Sequence, residues 1–289
     1  VRGGYTMTNW ALSDPAAHPT TLNAQGQGRV VYVTGDIYPT IAGFRVTGGD
    51  ASGMGGWPDP WIGGEEDGGG GIYVISATAA IYNNWIVSNT AVQGSGAHLI
   101  YDNSTFSGNT VTDGSNGGLL LYASATTVSG NTISQNNGTG IGLMFNGATV
   151  KDNTIAANDG HGLYLFINGS MVSGNTIISN TEYEGGGIYL NLSNATFINN
   201  VIASNYAASA GSGAYMLISP GQSPRWLHNT FTNNTGGDGS GIYVTGHPGD
   251  PPAAIEFINT ILADHSVGIN VTGGNTATLD GVLWHNTPV

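Results

Sequence analysis

The chain has 289 residues, of which 48 are glycine and none is cysteine. Its 18 acidic residues outnumber five basic ones, which gives a formal net charge of −13. The lack of cysteine excludes a disulfide framework and a thiolate metal site. The sparse basic residues argue against nucleic acid as a partner. No apolar run approaches 18 residues, so we expect no membrane insertion.

A tripeptide step of Asn, usually Thr, and then a β-branched or aromatic residue recurs along the chain. Its asparagines are Asn84, Asn109, Asn131, Asn153, Asn175, Asn200, Asn229 and Asn259. Their spacings are 25, 22, 22, 22, 25, 29 and 30 residues. A repeat with a period in this range predicts a solenoid.

A second marker, a glycine before a short apolar strand, runs in step with the first. Each repeat holds strands of three to five residues separated by Gly, Asn, Asp and Ser, and none is long enough for a helix. We therefore predict an all-β parallel β-helix of about ten rungs, each of 22–30 residues. Residues 1–289 are interpreted as one domain, with opening rungs at 1–47, a glycine-rich acidic loop at 48–70 and regular rungs at 71–289.

Strand alternation predicts which columns of residues face the core. The first and third residues after the marker glycine are apolar, as in Leu163 and Leu165. The residue two after the marker Asn and the residue three before it are apolar as well. Glu256 interrupts the last column, and because a buried unpaired carboxylate is costly, we expect a local bulge or a one-residue slip that turns Phe257 inward.

The asparagine column has a structural explanation. Asn tolerates the left-handed backbone conformation of a turn, and its amide can bond to the rungs above and below, which lie about 4.8 Å apart. We therefore interpret the eight marker asparagines as a structural ladder rather than as ligand-binding residues.

The rung pattern of Gly-x-Gly-Ile-Tyr-Leu followed by Asn-Thr-Ile-x-x-Asn resembles the right-handed parallel β-helix repeats of the pectin-lyase-like superfamily, over about residues 20–289. The opening segments, such as Arg2 to Tyr5 and Gly43 to Gly49, look like the first rungs of large secreted bacterial β-helix proteins, many of them anchored at the cell surface. The resemblance implies a right-handed helix and an extracellular or cell-surface location. No signal peptide is seen, so we expect a mature or trimmed piece of a secreted protein. Because this superfamily includes lyases, hydrolases, adhesins and scaffolds, it implies the fold more than the function.

The sequence contains few candidate catalytic residues. Pectate lyases of this superfamily use Ca²⁺ with an Arg or Lys base, but Lys151 and Arg225 stand without a carboxylate cluster. The motif Gly160-His161-Gly162 resembles the Gly-His-Gly of polygalacturonases, whose other motifs are absent. Asp159 and Glu184 each lie three residues before their marker glycine on adjacent rungs. That spacing predicts two carboxylates about 5 Å apart, as in a retaining glycosidase, with His161 beside them.

The acidic loop at 48–70 is a candidate calcium site, although no metal is the favoured interpretation. Oxygen-rich, flexible loops suit Ca²⁺, but a solvated glycine-rich loop explains the same composition. Its acidic residues are Asp50, Asp59, Glu65, Glu66 and Asp67.

The strand after the marker glycine has an unusually apolar outer face. The second and fourth residues of these strands should face solvent, yet they form an aromatic stripe along most of the chain. We predict that the stripe is a contact surface, and its aromatic members are Tyr73, Tyr122, Tyr164, Phe166, Tyr189, Tyr215 and Tyr243. Three alternatives stay open: the stripe binds like chains, it stacks on the sugars of an extracellular polysaccharide, or a loop of the chain covers it.

These patterns favour a secreted, non-enzymatic scaffold or adhesin-like protein that self-assembles or contacts glycans. The alternative is a polysaccharide-active lyase or glycoside hydrolase of the pectin-lyase-like type. No cofactor is expected beyond the possible Ca²⁺.

Overall fold

The computed structural model describes residues 1–58, 65–145 and 147–288. Within them every regular element is a β-strand, and nearly all strands belong to three long parallel sheets. The chain passes through the three sheets in the same order in each turn, so each strand pairs with its equivalents in the preceding and following rungs. This architecture is the predicted parallel solenoid of about ten rungs.

Sheet I consists of the strands that follow the marker glycines. Its ten strands are Val31–Thr34, Ile72–Ile75, Ala97–Ile100, Leu119–Tyr122, Ile141–Met144, Leu163–Phe166, Ile188–Asn191, Ala214–Ile218, Ser240–Gly246 and Val267–Val271.

Sheet II consists of the strands that precede the marker asparagines. Its ten strands are Thr40–Ala42, Ala80–Tyr82, Thr105–Ser107, Thr127–Ser129, Thr149–Lys151, Met171–Ser173, Thr196–Ile198, Arg225–Leu227, Ala254–Ile258 and Thr276–Asp280.

Sheet III begins directly after the asparagines. Its eleven strands are Thr20–Asn23, Phe44–Thr47, Trp85–Val87, Thr110–Thr112, Thr132–Ser134, Thr154–Ala156, Thr176–Ile178, Val201–Ala203, Thr230–Thr232, Ile261–Ala263 and Leu283–His285.

Two small sheets lie outside this frame, both between sheets III and I. Strands Gly56–Pro58 and Glu65–Asp67 pair antiparallel within the loop at 48–70. Strands Thr181–Glu184 and Tyr206–Ala210 pair in parallel on adjacent rungs, with a register shift between Glu182 and Glu184. These pairs mark the places where the chain departs from its regular repeat.

The corners of each rung turn through one residue of left-handed conformation. At the corner between sheets II and III this residue precedes the ladder asparagine, as in Gly130 (φ 62°) and Asp152 (φ 56°). The expectation that the ladder Asn itself takes the left-handed conformation is therefore wrong. The preceding residue makes the turn, which leaves the Asn backbone free to begin the next strand with its side chain pointing inward.

The core columns lie as the sequence predicts. Leu163 and Leu165 are fully buried, and so are their equivalents from Ile72 to Val244, whereas Ile269 and Val271 in the last rung are partly buried. Phe197 stacks on Trp226 with ring centroids 3.9 Å apart, which fills the wider rungs near the C-terminal end. The buried apolar side chains form one cluster that extends from Val33 to Leu262. The interpretation as a single domain stays a prediction.

The slip near Glu256 is present, and it extends further than the sequence predicts. Glu256 is exposed, and Phe257 is buried and pairs with Trp226. Leu262 takes the next core position, whereas Ile261 is 38% exposed.

The same slip affects the last ladder position. Asn259 is exposed, with φ 48°, and Thr260 occupies the buried ladder position. The assignment of Asn259 to the ladder is therefore wrong, because the inserted residue shifts the whole rung by one.

The remaining seven asparagines form a continuous ladder. The side-chain amide of Asn131 donates to Oδ1 of Asn153 at 2.8 Å, and the amide of Asn153 donates to Oδ1 of Asn175 at 2.9 Å. Each side chain also donates to a backbone carbonyl, as Asn153 does to Val128. Because the ladder is buried and its hydrogen bonds are satisfied, it stabilises the corner without a ligand.

No helix among the described residues is long and apolar enough to cross a membrane.

Candidate functional site

The outer face of sheet I is divided into a covered part and an open part. Tyr73, His98 and Leu120 belong to the predicted stripe, but they are only 3%, 0% and 5% exposed. The Tyr73 hydroxyl donates to the Gly56 carbonyl at 2.6 Å, and the Arg29 guanidinium lies 4.2 Å over the Tyr73 ring. The prediction that Tyr73 is a contact residue is therefore wrong, because the loop at 48–70, hereafter the covering loop, packs on it.

Arg29 holds the covering loop in place. Its Nε donates to the Gly68 carbonyl at 2.8 Å, and its Nη2 donates to the Gly55 carbonyl. Burial lowers the pKa of Arg29 from its ordinary value, while the charge of Asp67 is among the effects that oppose this shift. The cation thus stabilises a loop and does not point to open solvent.

The open part of sheet I carries a stack of four tyrosines, Tyr164, Tyr189, Tyr215 and Tyr243, on successive rungs. Their ring centroids are 5.5, 5.3 and 5.1 Å apart, with interplanar angles of 14°, 9° and 10°. Each ring is partly buried. Because the inner faces are occupied by neighbouring rings, the stack presents phenol edges and hydroxyls to a ligand rather than a row of free ring faces. We call it the tyrosine stack.

The stack ends at a gap where the sequence has glycine. Gly142 pairs with Leu120 on one side and Tyr164 on the other, so one rung of the column lacks a side chain. A cleft of about 240 Å³ opens here. Its lining includes Leu120, Met144 and Tyr164 together with His161 and Glu182. The Gly142 cleft therefore combines an apolar floor with titratable groups on one wall.

His161 borders both the cleft and the tyrosine stack. Its ring centroid lies 5.6 Å from that of Tyr164 and 5.0 Å from that of Tyr189. Its Nδ1 lies 3.0 Å from the Gly185 carbonyl oxygen, which can only accept, so Nδ1 carries the proton. Burial lowers the pKa of His161, although the Gly185 hydrogen bond and the charge of Glu182 oppose the shift. Burial thus favours the neutral ring, in which Nε2 can accept a proton.

Two carboxylates come from the extra strand Thr181–Glu184. Glu182 and Glu184 are partly buried, and the residues between and before them, Tyr183 and Thr181, are exposed. Burial raises the pKa of the Glu184 carboxyl, and a hydrogen bond from the Tyr215 hydroxyl opposes this shift. Burial and the negative charge of Glu184 also raise the pKa of Tyr215. A carboxyl with a raised pKa beside the sheet I face is suited to donate a proton.

Asp159 does not join this group in the structure. Its side chain is exposed, and its backbone N–H donates to the Asn136 carbonyl at 2.9 Å on the preceding rung. The carboxylate that acts on His161 is Glu182 instead. The rung that carries Glu184 has 25 residues between marker asparagines instead of 22, and the extra strand Thr181–Glu184 forms there, so the equal spacing from which the pair was predicted does not hold.

A second, larger cleft of about 570 Å³ lies at the corner between sheets I and II. Tyr101, which is 52% exposed, and Phe145 border it together with polar groups that include Asp36, Asp102 and Asn103. Both aromatic residues have left-handed backbones, with φ 50° and 53°. Edge-to-face contacts of 5.4 and 5.3 Å join Phe145 to Tyr122 and Phe166, two further residues of the predicted stripe.

The acidic residues of the covering loop have structural roles where they are described. The Asp50 carboxylate accepts from the backbone N–H of Ser52 at 2.9 Å. Asp67 accepts from the backbone N–H groups of Gly53 and Gly55, at 2.8 and 2.7 Å. Asp59 lies outside the described residues, as do the side chains of Glu65 and Glu66. No cluster of three or more His, Asp or Glu suited to a metal is present in the described part of the chain, and Ca²⁺ in this loop stays a prediction.

Sequence reasoning overlooked two components of the site, Glu182 and Gly142. Gly142 was visible as the only glycine among the stripe positions of the regular rungs, and it could have been interpreted as a gap. Glu182 carried no such signal, because its position depends on the extra strand formed with Tyr206–Ala210.

The fold defines the class of the protein as a parallel β-helix with one partly open sheet face. The family model for the right handed beta helix region matches residues 31–202 and 102–252. These matches together extend over more than half of the chain, and the protein belongs to this family. No sequence match is found among the curated proteins.

Among solved structures, the chain is similar to the periplasmic alginate epimerase AlgG. A threonine-to-asparagine variant of AlgG superposes with a TM-score of 0.67 at 14% identity, covering 88% of this chain and 61% of that chain. A double variant gives 0.65 at 14% identity, with the same coverage of both chains. An aspartate-to-alanine variant gives 0.63 at 15% identity, covering 86% and 60%. The chain thus spans about three fifths of the epimerase, and the likeness shows the parallel β-helix fold alone.

Proposed function

We propose that the protein is polysaccharide-active and binds its glycan along the open part of sheet I. The Gly142 cleft is the observation that carries this proposal. It places an apolar floor of Leu120 and Met144 and one end of the tyrosine stack beside polar groups, which is the composition of a small-ligand site. The tyrosine stack extends from the cleft for three more rungs, and it offers edges and hydroxyls to an extended chain.

The similarity to AlgG supports this proposal more than it supports a non-enzymatic scaffold. AlgG is described as an alginate epimerase of the periplasm, and its fold is shared over most of this chain. We propose accordingly that the protein acts outside the cytoplasm. Self-assembly through the tyrosine stack is the competing hypothesis.

Hydrolysis of a glycosidic bond is the reaction that the titratable groups favour. Glu182 and Glu184 lie two residues apart on one strand, and both side chains are partly buried. Glycosidases use a pair of carboxyl groups, one as acid and one as base or nucleophile. Glu184, with its raised pKa, would protonate the leaving oxygen. Glu182, beside His161, would act as the base or nucleophile.

The binding step is tested by filling the cleft with Gly142→Tyr. A side chain at this position first meets the flexible end of Leu120, with Cδ1 2.7 Å from the new Cβ, so the fold should accommodate it. Tyr also has a higher β propensity than Gly. We expect glycan affinity, measured by affinity electrophoresis and calorimetry, to fall at least tenfold while the thermal unfolding midpoint is unchanged or higher.

Gly169→Tyr is the matched control, because a side chain there meets open space at the corner between sheets I and II. It should leave affinity unchanged. If Gly142→Tyr binds glycan as well as the parent chain does, the cleft is not the site. If no polysaccharide binds and light scattering shows oligomers that Tyr189→Ser dissolves, self-assembly replaces the proposal.

The catalytic step is tested by screening polysaccharides for new reducing ends. Glu184→Gln and Glu182→Gln should each reduce turnover by at least a hundredfold with little change in affinity. Asp159→Asn, an exposed carboxylate on the adjacent rung, should retain full turnover. Activity that survives in both Glu variants would refute hydrolysis by this pair.

A further inference from the structure

We infer that the polysaccharide bound by sheet I is uncharged, rather than a polyuronate. This inference rests on the proposed function and names the substrate class of the same site. It follows from the positions of the few cations and of the carboxylates around both clefts.

The cations of the chain lie away from the open part of sheet I. Lys151 and Arg225 are exposed on strands of sheet II. Arg45 lies on sheet III, where its guanidinium stacks 4.5 Å over Trp85. Arg2 pairs with Ala42 beside the first strand of sheet II. None of the four lines either of the two clefts on the sheet I side.

Among the described residues, Arg29 is the one Arg or Lys near sheet I, and its donors are used within the chain. Its guanidinium donates to two carbonyls of the covering loop and lies over Tyr73. Freeing it would require the loop to move, so it cannot neutralise a ligand on the open rungs.

Two carboxyl groups and a histidine with a lowered pKa lie at the Gly142 cleft and the tyrosine stack. Glu182 lines the Gly142 cleft. The Glu184 carboxylate accepts a hydrogen bond from the Tyr215 hydroxyl in the tyrosine stack. Burial of His161 disfavours its charged form. The larger cleft is bordered by Asp36 and Asp102, so both clefts present carboxylates without a basic partner.

A polyuronate would bring one carboxylate per sugar against this surface. Like charges brought together in a partly buried site disfavour binding, because neither group has a cation to compensate for lost solvation. The net charge of −13 adds long-range repulsion, which salt screens. An uncharged glycan meets no charge repulsion at this surface. Its hydroxyl groups can donate hydrogen bonds to the carboxylates and accept them from the tyrosines.

The test compares soluble neutral polysaccharides with polyuronates at pH 7 in 20 and 500 mM NaCl, with the unmodified chain. The neutral probes are mixed-linkage β-glucan, galactomannan and arabinoxylan, and the anionic probes are polygalacturonate and alginate. We expect at least one neutral glycan to bind with a Kd that changes less than twofold between the two salt concentrations. The polyuronates should bind at least tenfold more weakly at low salt, and high salt should strengthen their binding.

Gly142→Tyr identifies which binding belongs to the site, because it should abolish retention of the neutral glycan. Tighter binding of a polyuronate at low salt, lost in Gly142→Tyr, would overturn the inference while the proposed function stands. If no glycan of either class binds, the proposed function itself fails. Polyuronate binding that Gly142→Tyr leaves intact, with neutral glycans unbound, would also refute the inference and place binding elsewhere.

Discussion

At the scale of single residues, the contact between Glu184 and Tyr215 connects the tyrosine stack to the proposed chemistry. The Tyr215 hydroxyl donates to the Glu184 carboxylate and stabilises its charged form, whereas burial favours the protonated form. The two effects oppose each other, and burial is the larger. The pKa of Glu184 is therefore raised, and the Tyr215 hydroxyl makes this shift smaller.

Tyr215→Phe should raise the pKa of Glu184 further. The change removes the hydrogen bond that favours the carboxylate but keeps the ring in the stack. We expect the alkaline limb of the pH–rate profile to move to higher pH, because Glu184 must be protonated to act as the acid. Carbon NMR of labelled Glu side chains measures the same shift without turnover. Tyr243→Phe is the control, and an equal shift in it would contradict this role of Tyr215.

The residue scale also shows what the sequence could and could not predict about the site. Glu184 was recognised from its distance to the marker glycine, which defines its rung, and His161 was recognised from the motif Gly160-His161-Gly162. Glu182 was not recognised, and Asp159 was chosen instead, because the extra strand changes the spacing. Within an inserted segment such as Thr181–Glu184, a side chain's neighbour on the next rung cannot be predicted from the spacing of the repeat.

At the scale of elements, the asparagine ladder joins successive rungs at the corner between sheets II and III. Asn153 accepts from the backbone N–H and the side-chain amide of Asn131, at 2.9 and 2.8 Å. It donates to Val128, Lys151 and Asn175. Each ladder Asn thus links three successive rungs through buried hydrogen bonds.

Asn153→Ala should lower the free energy of unfolding by about 2–4 kcal/mol, because buried donors and acceptors lose their partners. Urea unfolding followed by circular dichroism measures the change. The control is Asn199→Gly at an exposed corner residue with φ 55°, where glycine fits the left-handed conformation and we expect a change within about 0.5 kcal/mol. Equal effects of the two changes would show that the ladder contributes little.

The elements were more predictable than the site. Core columns, strand order and the ladder follow from the repeat itself, and so does the slip at Phe257. The extension of that slip to Asn259 did not follow, because Asn259-Thr260-Ile261 keeps the repeated motif while Thr260-Ile261-Leu262 takes the structural positions. A motif can thus stay in the sequence after its register has changed.

At the scale of the whole molecule, the two halves of sheet I differ in accessibility. The covering loop closes the face over Tyr73 and His98, whereas the rungs from Gly142 onward stay open. Burial under the covering loop lowers the pKa of His98 to about 3. Near the C-terminal end of the chain, burial lowers the pKa of His265 to about 4.

These two histidines predict an acid-sensitive fold. In the unfolded chain a histidine is protonated below about pH 6.5, whereas in the folded chain these two histidines are protonated only at lower pH. The unfolded state therefore binds more protons, and the free energy of unfolding should fall as the pH drops from about 6.5 toward 3–4. The loss has a slope of up to about 1.4 kcal/mol per pH unit for each group. Urea midpoints at pH 7, 5.5 and 4.5 should show it.

His98→Gln should reduce that slope, because glutamine does not titrate in this pH range. His228→Gln, at an exposed histidine, should leave the slope unchanged. An identical pH dependence in the parent chain and in His98→Gln would disprove the contribution of His98.

The tyrosine stack also gives the molecule an intrinsic optical signal. Four phenol rings about 5 Å apart and nearly parallel couple their electronic transitions, so the near-ultraviolet circular dichroism of the folded chain should exceed the sum of isolated tyrosines. The coupling depends on the register of four successive rungs. Local opening of these rungs, or a ligand that separates two rings, would thus be visible by spectroscopy without any label.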